Sequence, residues 1–124
     1  MKKLCTLLLL AISLPALAYE YQYGEWVAFT GKIRPMHGGW AAIVLDKPIT
    51  VVAKPGDNDG IDTPETGVTM MQLAMSSSEH FQQYRQFKGK KARVECQTLF
   101  HSITMYHKTP VLCAVAKISA PNRP

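Results

Sequence analysis

Residues 91–119, KARVECQTLFHSITMYHKTPVLCAVAKIS, decide how this chain folds. Two runs rich in β-branched and apolar residues, 91–100 and 110–119, flank a polar middle with one tyrosine and two histidines. Apolar runs of this length, bounded by turn-forming residues, are typical of β-strands. We therefore predict an antiparallel hairpin whose tip lies in the polar middle.

Each predicted strand carries one cysteine, Cys96 in the first and Cys113 in the second. We expect the two to face each other across the hairpin, because neighbouring strands bring opposed residues close enough for a bridge. By the period-two rule, two further pairs then share their face of the sheet: Val94 with Val115, and Thr98 with Val111. A disulfide across this loop stabilises the fold by roughly 3 kcal/mol in the chain-entropy model.

The preceding part of the chain predicts three further strands. Their apolar residues alternate or cluster between turn signals, and they span residues 25–34, 40–53 (as 40–45 continued by 49–53) and 68–75. Gly31 interrupts the first strand and indicates a bulge or a sharp bend.

One helix is expected at residues 77–88. Ser76 and Glu79 have the spacing of a capping box at its start, and Gly89 follows its end. Phe81, Tyr84 and Phe87 recur on one face, which we interpret as a stripe that packs on the core.

The resulting order puts the helix between the third and fourth of five strands. With a glycine-bent first strand, this order favours a mainly β fold, a small five-stranded OB-like barrel of the oligonucleotide- and oligosaccharide-binding type, partly open. An SH3-like or other small α+β barrel is the alternative.

The first 18 residues have the pattern of a signal peptide. Two lysines precede an apolar run, and Ala16-Leu17-Ala18 is an A-x-A cleavage signal. An uncleaved membrane anchor is the alternative. We expect a mature chain of residues 19–124 that forms a single OB-like domain, is periplasmic or secreted, has no membrane span after cleavage, and is a monomer. Export also favours the Cys96–Cys113 bridge, since Cys5 leaves with the signal peptide.

The formal charge of +5 falls to +3 when Lys2 and Lys3 are removed. A modest positive charge is often a sign of a nucleic-acid partner, but export argues against that, and an anionic envelope polymer, a lipid surface or an acidic protein would fit this charge equally well. Acidic residues gather at 57–65 and basic residues at 85–93, which we interpret as a solvated loop and a solvated helix end. No hydrolase, P-loop, zinc-protease or dinucleotide motif is present, so we expect neither an enzyme nor a cofactor.

The barrel fold brings the loop between strands 1 and 2 to the same side as the loop between strands 4 and 5. The candidate residues of this rim, formed by 35–40 and 101–109, are His37, Trp40, His101, Tyr106 and His107. Imidazoles can bind a metal, and Trp and Tyr can stack on a sugar or anchor a protein. Hairpin-tip histidines are also common as plain polar loop residues.

Three functions fit such a rim. The first is an exported binding module for an unknown protein or cell-envelope ligand. The second is an inhibitor or immunity protein against a toxin or cell-wall hydrolase, which would use one rim loop or the acidic 57–65 segment. The third is a periplasmic metal-binding protein, for which the sequence names no third ligand.

The C-terminal hairpin also resembles a bacterial secreted family, the domain of unknown function 4431. The matching positions are Gly89-Lys90-Lys91, Leu99-Phe100, Thr104, His107, Thr109 and Val111-Leu112, with weaker likeness at 45–52 and 71–74. The family carries a run of histidines before its last threonine, whereas here Tyr106 and Lys108 flank a single His107. The resemblance implies an exported small barrel and no particular activity.

Overall fold

The structure is a computed structural model that describes residues 19–57 and 60–121. The predicted signal peptide, residues 1–18, lies outside this part of the chain. The described strands and helix are β1 Tyr19–Gln22, β2 Val27–Pro35, β3 Ala41–Val52, β4 Glu65–Ala74, α1 Ser78–Phe87, β5 Lys91–His101 and β6 Val111–Ser119.

Strands β2 to β6 close into a barrel. β2 pairs antiparallel with β3 and β5, β3 pairs antiparallel with β4, and β5 pairs antiparallel with β6. A short parallel contact between β4 and β6 completes the circle. Because α1 lies between the third and fourth barrel strands, the predicted mainly β, five-stranded OB-like barrel is confirmed.

The sequence did not predict β1, which pairs in parallel with the second half of β3. β1 has only four residues, and three of them are exposed, so it lacks an apolar pattern that would identify it. The two predicted segments 40–45 and 49–53 form the single strand β3. Its exposed Asp46-Lys47-Pro48 segment falls where the register with β4 shifts, and a proline is tolerated at such an irregularity.

The predicted Cys96–Cys113 disulfide is present, with the two Cα atoms 5.2 Å apart. The predicted register is wrong: Cys96 lies opposite Val115, and Cys113 opposite Leu99. The bridge therefore runs diagonally between β5 and β6. The two strands pair three positions away from the prediction on both sides of Cys96, and at Cys96 itself neither Gln97 nor Ala116 has an opposite residue, as in a pair of β-bulges.

The same irregularity changes which side chains of β5 face the barrel interior. Ala92, Val94 and Cys96 are buried at alternate positions, but the next buried residue is Leu99. Thr98 is half-buried and opposes Ala114 instead of Val111, while Val94 opposes Ile118 instead of Val115. One unpaired residue shifts the inward positions, because strand side chains alternate with period two.

Helix α1 begins one residue later than predicted and ends one residue earlier. Ser77, not Ser76, is its N-cap and accepts a hydrogen bond from the His80 N–H at 3.2 Å, while the His80 ring accepts from the Ser76 N–H. Tyr84 and Phe87 pack against the core as predicted, but Phe81 is exposed. Within the described ranges, no helix is long and apolar enough to cross a membrane.

Gly31 lies where β2 pairs with β3 and β5 at once. A Cβ atom at this position would lie 2.2 Å from the Val44 carbonyl oxygen. The register of β2 is unbroken here, so the glycine permits a close approach of two strands and not a bulge.

We predict that Gly31→Ala lowers the free energy of unfolding by at least about 2 kcal/mol, because the added methyl group collides with backbone that cannot move aside cheaply. Urea denaturation measures the change. Thr30→Ala, at the preceding position of the same strand, is the control and should lower the free energy of unfolding by less than about 1 kcal/mol. Equal losses in the two variants would contradict the close-approach role.

We also predict that Cys96→Ala/Cys113→Ala lowers the free energy of unfolding by about 3 kcal/mol, since the unfolded chain regains the entropy of an open loop. For a domain of this size the melting temperature should fall by roughly 10–20 °C. Reduction of the native protein should have a similar effect. Identical melting with and without reductant would refute the stabilising role.

Candidate functional site

The two predicted rim segments meet in the structure. The Trp40 and Tyr106 rings are 6.2 Å apart between centroids, with their planes at 50°. Beside them lies a cleft of about 350 Å³, whose walls include side chains from both segments, from the helix and from the strands between. Its lining residues include Trp40, Met75, Phe81, Tyr106, His107 and Leu112.

The cleft brings together three of the five predicted rim residues: Trp40, Tyr106 and His107. His37 lies in the exposed turn between β2 and β3 and does not line the cleft. His101, at the end of β5, also lies outside it. The barrel topology therefore predicted correctly that Trp40 and Tyr106 lie close together. The sequence did not indicate that His107 lines the cleft while His101 lies outside it.

His101 holds the root of the 102–110 loop. Its Nε2 atom is 2.7 Å from a carboxylate oxygen of Glu65 on β4, and its Nδ1 atom is 3.1 Å from the Ser102 carbonyl oxygen. An imidazole with hydrogen on both nitrogens donates to both acceptors at once. The ring also packs edge-on against Tyr23, with centroids 5.9 Å apart. His101 thus ties β5 to β4.

Tyr23, which packs against His101, is itself held in place by a hydrogen bond. Its hydroxyl donates to the Thr63 carbonyl oxygen at 2.7 Å. Burial raises the pKa of the phenol well above its ordinary value, and the carboxylates of Glu65 and Asp62 raise it further. The group therefore stays a neutral donor next to the carboxylate of Glu65.

His107 uses its ring to shape the loop. Its Nδ1 atom accepts a hydrogen bond from the Ile103 N–H at 2.9 Å, and the ring packs edge-on against Phe100 at 5.5 Å. A neutral imidazole that accepts at Nδ1 carries its hydrogen at Nε2, so it offers no lone pair there to a metal. In residues 19–57 and 60–121, no three His, Cys, Asp or Glu side chains converge in a manner that could hold a metal ion.

Gln72 is the residue that sequence reasoning missed. It lies on β4 with only 3% of its surface exposed. Its side-chain amide accepts a hydrogen bond from the Lys108 N–H and donates one to the Tyr106 carbonyl oxygen at 3.2 Å. The side chain thus bonds the loop backbone in the way that the backbone of a neighbouring strand would. Its backbone N–H donates to the Thr109 hydroxyl at 2.9 Å, and that hydroxyl donates to the Val111 carbonyl oxygen. A polar residue inside the apolar run MMQLA was the available signal.

The loop is also bonded internally. The Thr104 hydroxyl accepts from the Tyr106 N–H, and the Thr104 carbonyl oxygen accepts from the His107 N–H, both at 3.1 Å. At the loop's base, the Ser102 N–H donates to the Pro110 carbonyl oxygen at 2.9 Å. Loops with this many satisfied backbone groups have few alternative conformations.

Residues 70–119, which include most of β4 and all of α1, β5 and β6, match the family described as domain of unknown function (DUF4431). Over these residues the chain is similar to DUF4431. The resemblance predicted from the C-terminal hairpin is thereby confirmed. No curated protein and no solved structure matches the chain.

The positions that carry the DUF4431 likeness have an identifiable role in this chain. Thr104, His107 and Thr109 all accept backbone hydrogen bonds of the loop or of β4. Gln72, within the 71–74 segment of the resemblance, donates and accepts on the other side of the same contact. In this protein the motif therefore specifies the shape of the loop between β5 and β6.

We predict that Gln72→Leu lowers the free energy of unfolding by about 2 kcal/mol, because two backbone groups of the loop lose their partners. Amide hydrogen exchange should accelerate across residues 102–109 more than across β2. Gln82→Leu, on the exposed face of α1, is the matched control and should change neither quantity. Unaltered exchange in the loop of Gln72→Leu would refute the anchoring role.

Proposed function

We propose that this chain is an exported, non-enzymatic binding module that holds its ligand or partner at the rim formed by residues 35–40 and 101–109. One observation carries the proposal: the aromatic cleft between these two segments, with Trp40 and Tyr106 at 6.2 Å. A volume of about 350 Å³ falls within the range of ligand-binding clefts.

The chemistry of the cleft supports recognition. Both polar ends of the Gln72 side chain are already bonded to the loop. Apart from Gln72, the lining residues with polar side chains are Trp40, Tyr106 and His107, which carry an indole N–H, a hydroxyl and an imidazole. A largely apolar cleft with a few such groups is typical of a binding site.

Two features support export. The first 18 residues have a signal-peptide pattern. The Cys96–Cys113 disulfide fits a chain that folds in an oxidising compartment, such as the periplasm or the external medium.

The proposal can be tested with Trp40 as the reporter. The chain has two tryptophans, so Trp26→Phe leaves Trp40 alone. We predict that soluble peptidoglycan fragments, lipopolysaccharide or purified envelope proteins, tested one by one, include a probe that changes Trp40 emission saturably. Tyr106→Ala in the same background should weaken that binding at least tenfold, because it removes one wall of the cleft.

The control variant is Trp40→Phe, which retains Trp26. Trp26 is 63% exposed and does not line the cleft, so its emission should not respond to the same probe. Two results would contradict the proposal. One is that no probe changes the emission of Trp40. The other is that every probe that does so binds Tyr106→Ala as tightly as it binds the native chain.

A further inference from the structure

His107 holds the interior of the 102–110 loop as a hydrogen-bond acceptor. Its Nδ1 atom accepts from the Ile103 N–H at 2.9 Å. A ring nitrogen accepts only while it keeps its lone pair, so this bond requires the neutral imidazole. A second proton would make Nδ1 a donor that faces the Ile103 N–H, and two donors cannot bond each other. Protonation of His107 therefore removes a bond inside the loop.

The surroundings of His107 do not compensate a positive charge. The ring packs edge-on against Phe100 of β5 at 5.5 Å. The cleft that it lines receives uncharged side chains from β4, β6 and α1, and it shares that cleft with the titratable phenol of Tyr106. In the loop the adjacent charge is the Lys108 ammonium group, which donates to the Met105 carbonyl oxygen at 3.1 Å. The three ion pairs in the described part of the chain involve other side chains, so a proton on His107 gains no carboxylate partner there.

His101, at the root of the loop, has the opposite requirement. Its Nε2 atom lies 2.7 Å from a Glu65 carboxylate oxygen, and its Nδ1 atom lies 3.1 Å from the Ser102 carbonyl oxygen. A ring with hydrogen on both nitrogens donates to both acceptors, whereas a neutral ring donates to only one. The other charged side chains near this root line a pocket with Tyr23 and are Lys54, Asp57 and Asp62. Protonation of His101 therefore strengthens the attachment of the root to β4.

The bond that acid removes closes the segment that carries Tyr106. Ile103 and His107 lie on either side of Tyr106 in the chain, and the Tyr106 N–H donates to the Thr104 hydroxyl at 3.1 Å within the same segment. Tyr106 forms one wall of the cleft, with its ring 6.2 Å from the Trp40 ring between centroids. A loss of order in this segment therefore reaches the wall of the cleft.

We infer that the 102–110 loop is an acid-sensitive wall of the cleft. Protonation of His107 releases the Ile103 amide and loosens the segment that carries Tyr106, while protonated His101 keeps the root attached to β4. Histidine is the side chain whose charge ordinarily changes between about pH 5 and 8, so the loop changes its order in this range. For binding, this inference rests on the proposed function and adds its regulation: the module holds its ligand at neutral pH and releases it in acid.

Amide hydrogen exchange of the protein at about pH 7.5 and about pH 5.5 tests the loop directly. Ordinary carboxyl groups remain ionised at both values, so histidines are the side chains that take up protons. After correction for intrinsic exchange rates, protection of the Ile103 and Tyr106 amides should fall at least about fivefold on acidification. The Ser102 amide, which donates to the Pro110 carbonyl oxygen at the root, should stay protected. The NMR titration of the His107 ring should have the same midpoint as the loss of protection.

Two variants at position 107 separate the acceptor from the ring. His107→Phe keeps a ring beside Phe100 but accepts no hydrogen bond, so protection of the loop should be low at both pH values. In His107→Asn the amide oxygen accepts at either pH, so protection should not change with pH. His80→Asn is the matched control, because His80 Nδ1 also accepts a backbone N–H, that of Ser76, but at the start of α1. It should keep the native response of the loop to acid.

The effect on binding is measured with any probe that changes Trp40 emission in Trp26→Phe. The affinity of that probe should be at least about threefold weaker at the lower pH, because the loosened wall must be ordered again on binding. Adding His107→Phe to the same background should remove this difference between the two pH values.

Three results would overturn the inference. The first is equal protection of the loop amides at the two pH values in the native chain. The second is a response to acid that persists in His107→Phe. The third is loss of the response in His80→Asn, which would assign it to the start of α1.

The inference and the proposed function fail in different ways. Hydrogen exchange needs no ligand, so a loop that does not respond to acid refutes the inference whether or not a probe binds. If a probe binds with dependence on Tyr106 but equally well at both pH values, the release in acid is refuted and the binding rim stands. If no probe changes Trp40 emission, the binding rim is refuted, while exchange alone still decides whether the loop responds to acid.

Discussion

The short parallel contact between β4 and β6 is the constraint on which the rest of the structure depends. Only three residue pairs form it, and Leu73 pairs there with Cys113. Cys113 is in turn bonded to Cys96 of β5, so one residue joins three strands. The Gln72–Thr109 hydrogen bond lies at the same place and extends the contact into the loop. Barrel closure and loop position are therefore set together.

The same contact explains the composition of the hairpin tip. Thr109 is buried there and His107 half-buried, while Thr104 is exposed but also bonded within the loop. They bond the loop's own backbone, and Gln72 completes the set from β4. The large apolar side chains exposed at the tip are those of Ile103, Met105 and Tyr106, and they are interspersed with the exposed Thr104 and Lys108.

The features that the sequence predicted correctly are those set by local periodicity: the five barrel strands, the helix, and a disulfide between two strand-borne cysteines. The predicted register of β5 and β6 was wrong by three positions on both sides of Cys96, because the length and shape of the connecting loop set that offset and the strand pattern does not. Strand β1 is too short to show a period. At the site, Trp40 and Tyr106 followed from topology. Gln72 did not, since its partners are backbone groups more than thirty positions away.

The loop is held at both of its ends by a single strand. Glu65, at the start of β4, bonds His101 at the loop's root, and Gln72, near the end of β4, bonds residues 106–109. These two anchors are seven positions apart, which corresponds to roughly 20 Å along an extended strand. A small domain has little core with which to fix a long surface loop. Attaching the loop twice to a strand of the closed barrel gives it a defined shape without enlarging that core.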